Sequence, residues 1–204
     1  MKKQLIEFIG TFFLVLTITL SGNPIAVGVV LAAMIYMGGY ISGGHYNPSV
    51  TLAVYLRRKI DQPTAIQYVI YQCLGAVAAA FIALLVTGTA VVPKPGPNVT
   101  LISVIIMEAI FTFGLASVVL HVATASKTHG NQYYGLAIGM TVMAGAFATG
   151  AISGGVFNPA VAIGTFLVDM TNIPSNLPNL VVFIIGQLLG AVGAATVYNI
   201  VTKE

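Results

Sequence analysis

Six apolar runs, each close in length to the thickness of a lipid bilayer, constrain this chain more than any other feature. They fall at about residues 4–21, 25–43, 63–88, 100–123, 131–152 and 178–200. A hydrocarbon core about 30 Å thick is crossed by roughly 20 helical residues, and only helices or closed barrels satisfy their backbone groups inside it. The runs are continuous rather than alternating, which selects helices over barrel strands. Charge agrees with this reading: 6% of the 204 residues are charged, against about a quarter in soluble domains. The expected fold is an all-α, multi-pass membrane protein.

The cations sort by face. Lys2 and Lys3 precede the first run, Arg57, Arg58 and Lys59 the third, Lys127 lies between the fourth and fifth, and Lys203 follows the sixth. With six crossings all seven share one face, and Lys94 alone falls on the other. Cytoplasmic loops attract Lys and Arg, so both termini are expected in the cytoplasm. The net charge of +3 reflects that bias and implies no nucleic-acid partner. Lys2 and Lys3 before an apolar run also resemble a signal peptide, but Glu7 interrupts its start and no cleavage region follows, so the run is read as a retained span. The single cysteine, Cys73, excludes an intramolecular disulfide and Cys-based metal sites. It is expected to be buried as a small hydrophobe.

Three blocks recur in order. "EFIGTFF" from Glu7 matches "EAIFTFG" from Glu108; "ISGGHYNPSV" from Ile41 matches "ISGGVFNPAV" from Ile152 at seven of ten positions; "YQCLGAVAAA" from Tyr71 matches "GQLLGAVGAA" from Gly186. The offsets are 101, 111 and 115 residues. Each half holds three spans, so the second must enter the membrane from the opposite face, as in inverted-topology repeats whose functional site lies near the midplane. We expect one transmembrane domain over 1–204, with repeats at about 1–88 and 100–204 joined by an external loop at 89–99. Three prolines and two glycines between Thr87 and Thr100 forbid a helix there.

The segments Asn47–Tyr55 and Asn158–Leu167 are too short to cross, nine residues in the first case. Asn is a favoured helix cap and Pro suits the first turn, while the preceding glycines permit an irregular extended path. Each block therefore reads as a re-entrant loop: extended chain in, half-helix out. Such backbone is tolerated at membrane depth only where it is buried or lines a wet cavity. The carbonyls of Gly43, Gly44, His45 and Tyr46, and of Gly154, Val156 and Phe157, are candidate acceptors for a file of polar molecules. Two half-helix N-termini meeting at the centre would disfavour cations there, and the amides of Asn47 and Asn158 are candidate donors. Glu7 and Glu108 are the two acidic residues within the spans, and an intramembrane carboxylate is a functional candidate. Small residues Gly186, Gly190, Gly193, Ala76, Ala79 and Ala80 suit close helix packing. His45 is read as a buried, hydrogen-bonded residue or a pH gate; His129 is expected in solvent, and no partner can be named for His121.

Six spans, paired Asn-Pro motifs and ordered repeats together resemble the aquaporin, or major intrinsic protein, family over essentially the whole chain. The first motif, Asn47-Pro48-Ser49, has Ser where the family usually has Ala; the second, Asn158-Pro159-Ala160, matches. The resemblance implies six transmembrane helices plus two re-entrant half-helices in an inverted 3+3 repeat, a homotetramer with one pore per subunit, and Glu7 and Glu108 bracing the two loops by accepting backbone hydrogen bonds. It also implies passive passage of water or small uncharged solutes such as glycerol or urea. The family's selectivity filter usually includes an arginine directly after the second motif, and here that position is Val161. Alignment by the motifs puts the other filter positions at Val27, Ala146 (where water-selective members often carry His) and Gly155. All four are small, apolar and uncharged. A fixed guanidinium narrows a pore, donates to solutes and repels cations, so its loss predicts a wider passage. The glycerol-facilitator pattern is also incomplete, with Ala162 where those members usually carry Asp.

An apolar ring passes bulkier neutral solutes or gates by dewetting. Two alternatives to a conducting channel therefore stay open: a poorly conducting structural membrane protein, and a secondary transporter, which would need a midplane charge beyond the two glutamates. No nucleophile–base pair or metal-ligand spacing points to an enzyme, and nothing in the sequence calls for a cofactor or metal.

Overall fold

The computed structural model describes residues 1–202; Lys203, one of the topology charges, lies outside them. Eight helices follow in order: α1 (Lys2–Ser21), α2 (Pro24–Ser42), α3 (Pro48–Leu56), α4 (Gln62–Thr87), α5 (Leu101–Val119), α6 (Tyr134–Thr149), α7 (Pro159–Val168) and α8 (Ile173–Thr202). Among the described residues, five helices or helical stretches are long and apolar enough to cross a membrane. The sixth crossing, α6, has 16 residues, about 24 Å at 1.5 Å per residue. Backbone bonds from Gly150 to Ala146 and from Ser153 to Thr149 carry it one further turn. The half-helices α3 and α7 have 9 and 10 residues and turn back halfway.

The sequence sets these boundaries through caps. Each Asn-Pro step starts a helix: the side chains of Asn23, Asn47 and Asn158 accept from first-turn N–H groups of α2, α3 and α7, and Pro occupies the position where a missing N–H is harmless. Asp61 and Thr100 cap α4 and α5 in the same way. α8 starts at Ile173, five residues before the expected span, and runs through Pro178. Pro178 and Pro174, whose carbonyl it leaves unpaired, are both exposed near the helix start, where the loss is tolerated.

Helix contacts come in matching pairs. α1 packs on α4 as α5 packs on α8; α1 meets α2 as α5 meets α6; α4 meets α7 as α8 meets α3. α2 packs on α6 and α3 on α7 across the pseudo-two-fold axis. Small residues allow the closest approaches. A Cβ built on Gly75 would lie 2.4 Å from the Phe8 carbonyl, and one on Gly190 would lie 2.4 Å from the Ala109 carbonyl, so these crossings exclude any larger residue without backbone movement. Outward faces carry large apolar side chains such as Leu85, Ile102 and Ile200, each more than 60% exposed, as a lipid-facing surface requires.

Candidate functional site

The two re-entrant stretches share one backbone path. Gly43 and Gly44 have φ of 97° and 63°, followed by Tyr46 at 49°; Gly154 and Gly155 have 94° and 63°, followed by Phe157 at 48°. Left-handed backbone at Tyr46 and Phe157 is costly for residues with a Cβ, so something must hold it.

That role falls to the two buried glutamates. Glu7 Oε1 accepts from the Ser42 hydroxyl at 2.6 Å and the His45 N–H at 3.0 Å, and Oε2 from the Tyr46 N–H at 2.7 Å and the Gln72 amide at 2.8 Å. Glu108 repeats the set with the Ser153 hydroxyl at 2.7 Å, Val156 N–H at 3.1 Å, Phe157 N–H at 2.8 Å and Gln187 amide at 2.8 Å. Hydrogen bonds to charged groups are worth roughly 1.5–3 kcal/mol each, enough together to hold two strained residues. Ser42, Ser153, Gln72 and Gln187 were not singled out from the sequence. Their signal was there: each pair occupies equivalent positions of a repeated block.

The asparagines join the two halves. Asn47 Oδ1 caps α3 on the Ser49 N–H, while its Nδ2 donates to the Phe157 carbonyl at 2.8 Å. Asn158 Oδ1 caps α7 on the Ala160 N–H, and its Nδ2 donates to the Tyr46 carbonyl at 2.9 Å. Each amide has two hydrogens; one crosses to the opposite loop, and the bonds of the described residues leave the other unused. The Tyr46 and Phe157 carbonyls, expected as pore acceptors, each already receive an asparagine N–H. Ser49 and Ala160 are fully buried, and neither they nor Pro48 and Pro159 line the cavity described next.

A cavity of about 220 Å³ runs past both loops. Gly44, His45, Tyr46 and Asn47 line it from one loop, Gly154, Gly155, Val156, Phe157 and Asn158 from the other. Val27, Ala146 and Val161 complete the wall with Gly155, so all four filter positions face one space. The rest of the lining is largely apolar, and several members pair across the repeat: Leu14 with Leu115, Ile18 with Val119, Leu31 with Val142, and Val27 itself with Ile138. The repeat offsets would have located these residues. Among the described residues no Asp, Glu, Lys or Arg lines this cavity. Gly43 lies outside it and borders a wider space of about 750 Å³ on the face of the termini, together with Lys59, His129 and Asn131.

His45 is buried and bonded. The Thr51 hydroxyl has one hydrogen and three polar neighbours: the Asn47 carbonyl at 3.0 Å, Gln72 Nε2 at 2.9 Å and His45 Nδ1 at 3.1 Å. The carbonyl only accepts and the amide nitrogen only donates, so the hydroxyl hydrogen goes to Asn47. This assigns the ring hydrogen to Nδ1 and leaves Nε2 as an acceptor. His121, for which the sequence named no partner, bonds through Nδ1 to the Ser117 carbonyl at 2.8 Å and sets its ring edge against Tyr198. His129 is exposed, and Cys73 is half-buried rather than buried. Arg57, counted above as a topology charge, is also structural. It lies over the Tyr198 ring at 4.3 Å and donates to Thr124 in the π-helical turn Leu120–Thr124, tying the end of α3 to the ends of α5 and α8.

Paired half-helices meeting beside a cavity with no Asp, Glu, Lys or Arg among the described residues of its lining, inside an inverted helical repeat, are the arrangement of a multi-pass membrane channel. The comparisons agree. The family model "Major intrinsic protein" matches residues 1–198, and the chain belongs to that family. It is 34% identical to the glycerol uptake facilitator protein-like 6 of Lactiplantibacillus plantarum, covering all of both chains. It is 32% identical to the aquaporin AqpM of Methanothermobacter thermautotrophicus over all of this chain and 98% of that one. Nodulin-26 of Glycine max is 31% identical over 98% of this chain and 78% of its own length. The aquaglyceroporin of Plasmodium falciparum has the same fold, with a TM-score of 0.84 at 21% identity over 98% of this chain and 96% of that one. The molecule is thus an integral membrane channel for water and small solutes.

Proposed function

We propose that solutes pass in single file between the two Asn-Pro motifs, and that Val27, Ala146, Gly155 and Val161 form a wide, uncharged filter admitting glycerol-sized or urea-sized molecules as well as water. The observation that carries this reading is the common lining: both asparagines and all four filter residues border one uncharged cavity. The lining offers the loop carbonyls, the second N–H of each asparagine amide and His45 Nε2; the rest of it is largely hydrocarbon. A solute with polar and apolar faces is matched by such a passage. A cation has no carboxylate to replace its hydration shell and meets two half-helix N-termini, each equivalent to about half a positive charge. The names of the relatives, a glycerol uptake facilitator among them, support the glycerol-sized range.

In this reading both termini lie in the cytoplasm, the repeats at about 1–88 and 100–204 form one channel domain, the subunits assemble as a homotetramer, and no cofactor takes part in passage. The test is stopped-flow light scattering on proteoliposomes, comparing osmotic water flux with glycerol and urea entry for the wild type and Val161→Arg. Fast water and solute flux, with solute entry reduced by the arginine, is the expected result. Flux no higher than in empty liposomes, from protein shown to be folded, would favour the poorly conducting structural role.

A further inference from the structure

The segment between the repeats is more than a connection, because it is docked against the second re-entrant loop. The Gly96 N–H donates to the Ile152 carbonyl at 2.9 Å. A Cβ built on Gly96 would lie 2.0 Å from the Ala151 carbonyl, and one on Gly154 would lie 3.4 Å from the Lys94 carbonyl. Val91 and Pro93 border the pore cavity itself. Lys94 stands between Pro93 and Pro95, and proline fixes its own φ and restricts the residue before it. Its backbone is thus held at the pore mouth while its side chain is exposed.

Lys94 is also the one Lys or Arg on this face among the described residues. Asp169 is the other charged residue there, and its two carboxylate oxygens accept from the Asn172 and Asn176 amides at 2.9 Å each. Inside the passage position 161 is Val, and among the described residues no Lys or Arg lines the cavity past the mouth.

We propose that Lys94 is the outer cation barrier of this channel: a positive charge carried on backbone that the inter-repeat loop holds beside the mouth, which lowers the local concentration of entering cations and leaves neutral solutes untouched. The inference deepens the channel reading and rests on it. A mouth charge acts through water, so its reach follows the Debye length, about 30 Å at 0.01 M salt and about 3 Å at 1 M.

The test uses the full chain in proteoliposomes, comparing wild type, Lys94→Arg, Lys94→Gln and Lys94→Glu. Cation entry is read with a trapped potassium-sensitive dye, and water and glycerol flux by light scattering in the same vesicles. At about 10 mM salt, K94Q should leak potassium about three-fold and K94E about ten-fold faster than wild type, with K94R unchanged. At about 1 M salt these differences should shrink toward one, while water and glycerol flux stay within about two-fold of wild type throughout. Potassium entry in K94E equal to wild type, with solute flux intact, overturns the inference alone. So does a raised leak that ignores salt, since that reports a loosened loop and not a lost field. Water and glycerol flux in the wild type no higher than in empty liposomes overturns the channel reading and this inference with it.

Discussion

Around the first re-entrant loop, His45, Tyr46, Thr51 and Tyr68 all place polar atoms in hydrogen bonds: His45 and Gln72 to Thr51, Tyr46 to the Met34 carbonyl, Tyr68 to the Ser42 carbonyl. At the equivalent positions around the second loop stand Val156, Phe157, Ala162 and Phe183. The two backbones nevertheless agree within 3° of φ at Gly43, Gly44 and Tyr46 and their counterparts. What both share is the glutamate with its serine, glutamine and two backbone N–H groups. That core fixes the path, and the outer layer is free to differ: directional bonds on the face of the termini, apolar packing opposite. In the second case Phe157 stacks on Phe111 at 5.7 Å, Phe183 is buried, and the inter-repeat loop closes over the top. Val161, one of the proposed filter residues, sits in this apolar half, whereas Gly155, at φ 63° and with a built Cβ 3.1 Å from the Ala146 Cα, has no room for a side chain.

The sharpest way to break this comparison is to remove each glutamate. Glu7→Ala and Glu108→Ala each remove the acceptor of four buried donors, at roughly 1–3 kcal/mol for each donor left unsatisfied. Glu108→Ala should do more damage, because the positions around the second loop that match His45, Thr51 and Tyr68 carry no polar side chain, and the Gly96 N–H to the Ile152 carbonyl is the one bond that the inter-repeat loop adds among the described residues. Melting in detergent followed by size-exclusion profiles should show monodisperse Glu7→Ala protein with a lowered midpoint and mostly aggregated Glu108→Ala. Equal losses would mean that the outer layer adds nothing. Next in size are Asn47→Asp and Asn158→Asp, which set a carboxylate against a carbonyl where an N–H now donates. Each should cut water and glycerol flux by about ten-fold, some 1.4 kcal/mol on the barrier. The two should fall alike, since the cross-bonds are matched; a large difference would show that one loop alone carries passage.

Smaller still are exchanges of the outer layers. Tyr68→Phe should cost about 1 kcal/mol for its bond to the Ser42 carbonyl. The reverse change, Phe183→Tyr, should also destabilise, by roughly 1–3 kcal/mol, because it buries a hydroxyl in apolar surroundings. Thermal midpoints of the two variants decide this, and a stabilised Phe183→Tyr would show that the apolar layer is an accident of composition. Val161→Arg sharpens the comparison through passage and not through stability: glycerol entry should fall more than water flux in stopped-flow scattering.

Much of this was legible in the sequence because the repeat writes it twice. The half-helices Pro48–Leu56 and Pro159–Val168 begin one residue after the expected starts at Asn47 and Asn158, since cap and proline chemistry is local. The brace by Glu7 and Glu108 followed from a resemblance, whereas its serine and glutamine partners needed three-dimensional proximity between blocks 35 and 65 residues from Glu7. The cross-bonds from Asn47 to Phe157 and from Asn158 to Tyr46 were invisible for the same reason: no local rule aims an amide at a carbonyl more than a hundred residues away. Val91 and Pro93 had no repeat counterpart to mark them, and a proline-rich segment reads only as non-helical. Span five was expected over 131–152, but Gln132 and Tyr133 stay outside α6, where Asn131 bonds to the Val122 and Thr128 carbonyls and holds that turn irregular.

The exchange of amide hydrogen bonds between the two Asn-Pro motifs has a consequence for biogenesis. When only the first half has entered the bilayer, Asn47 faces no Phe157 carbonyl and the N-terminus of α3 has no opposing half-helix. That intermediate holds polar groups at membrane depth that water or a chaperone must satisfy until α7 arrives. Completion of the chain, rather than insertion of any one helix, closes the structure, so the two halves expressed as separate polypeptides should each be short-lived and should protect one another when made together.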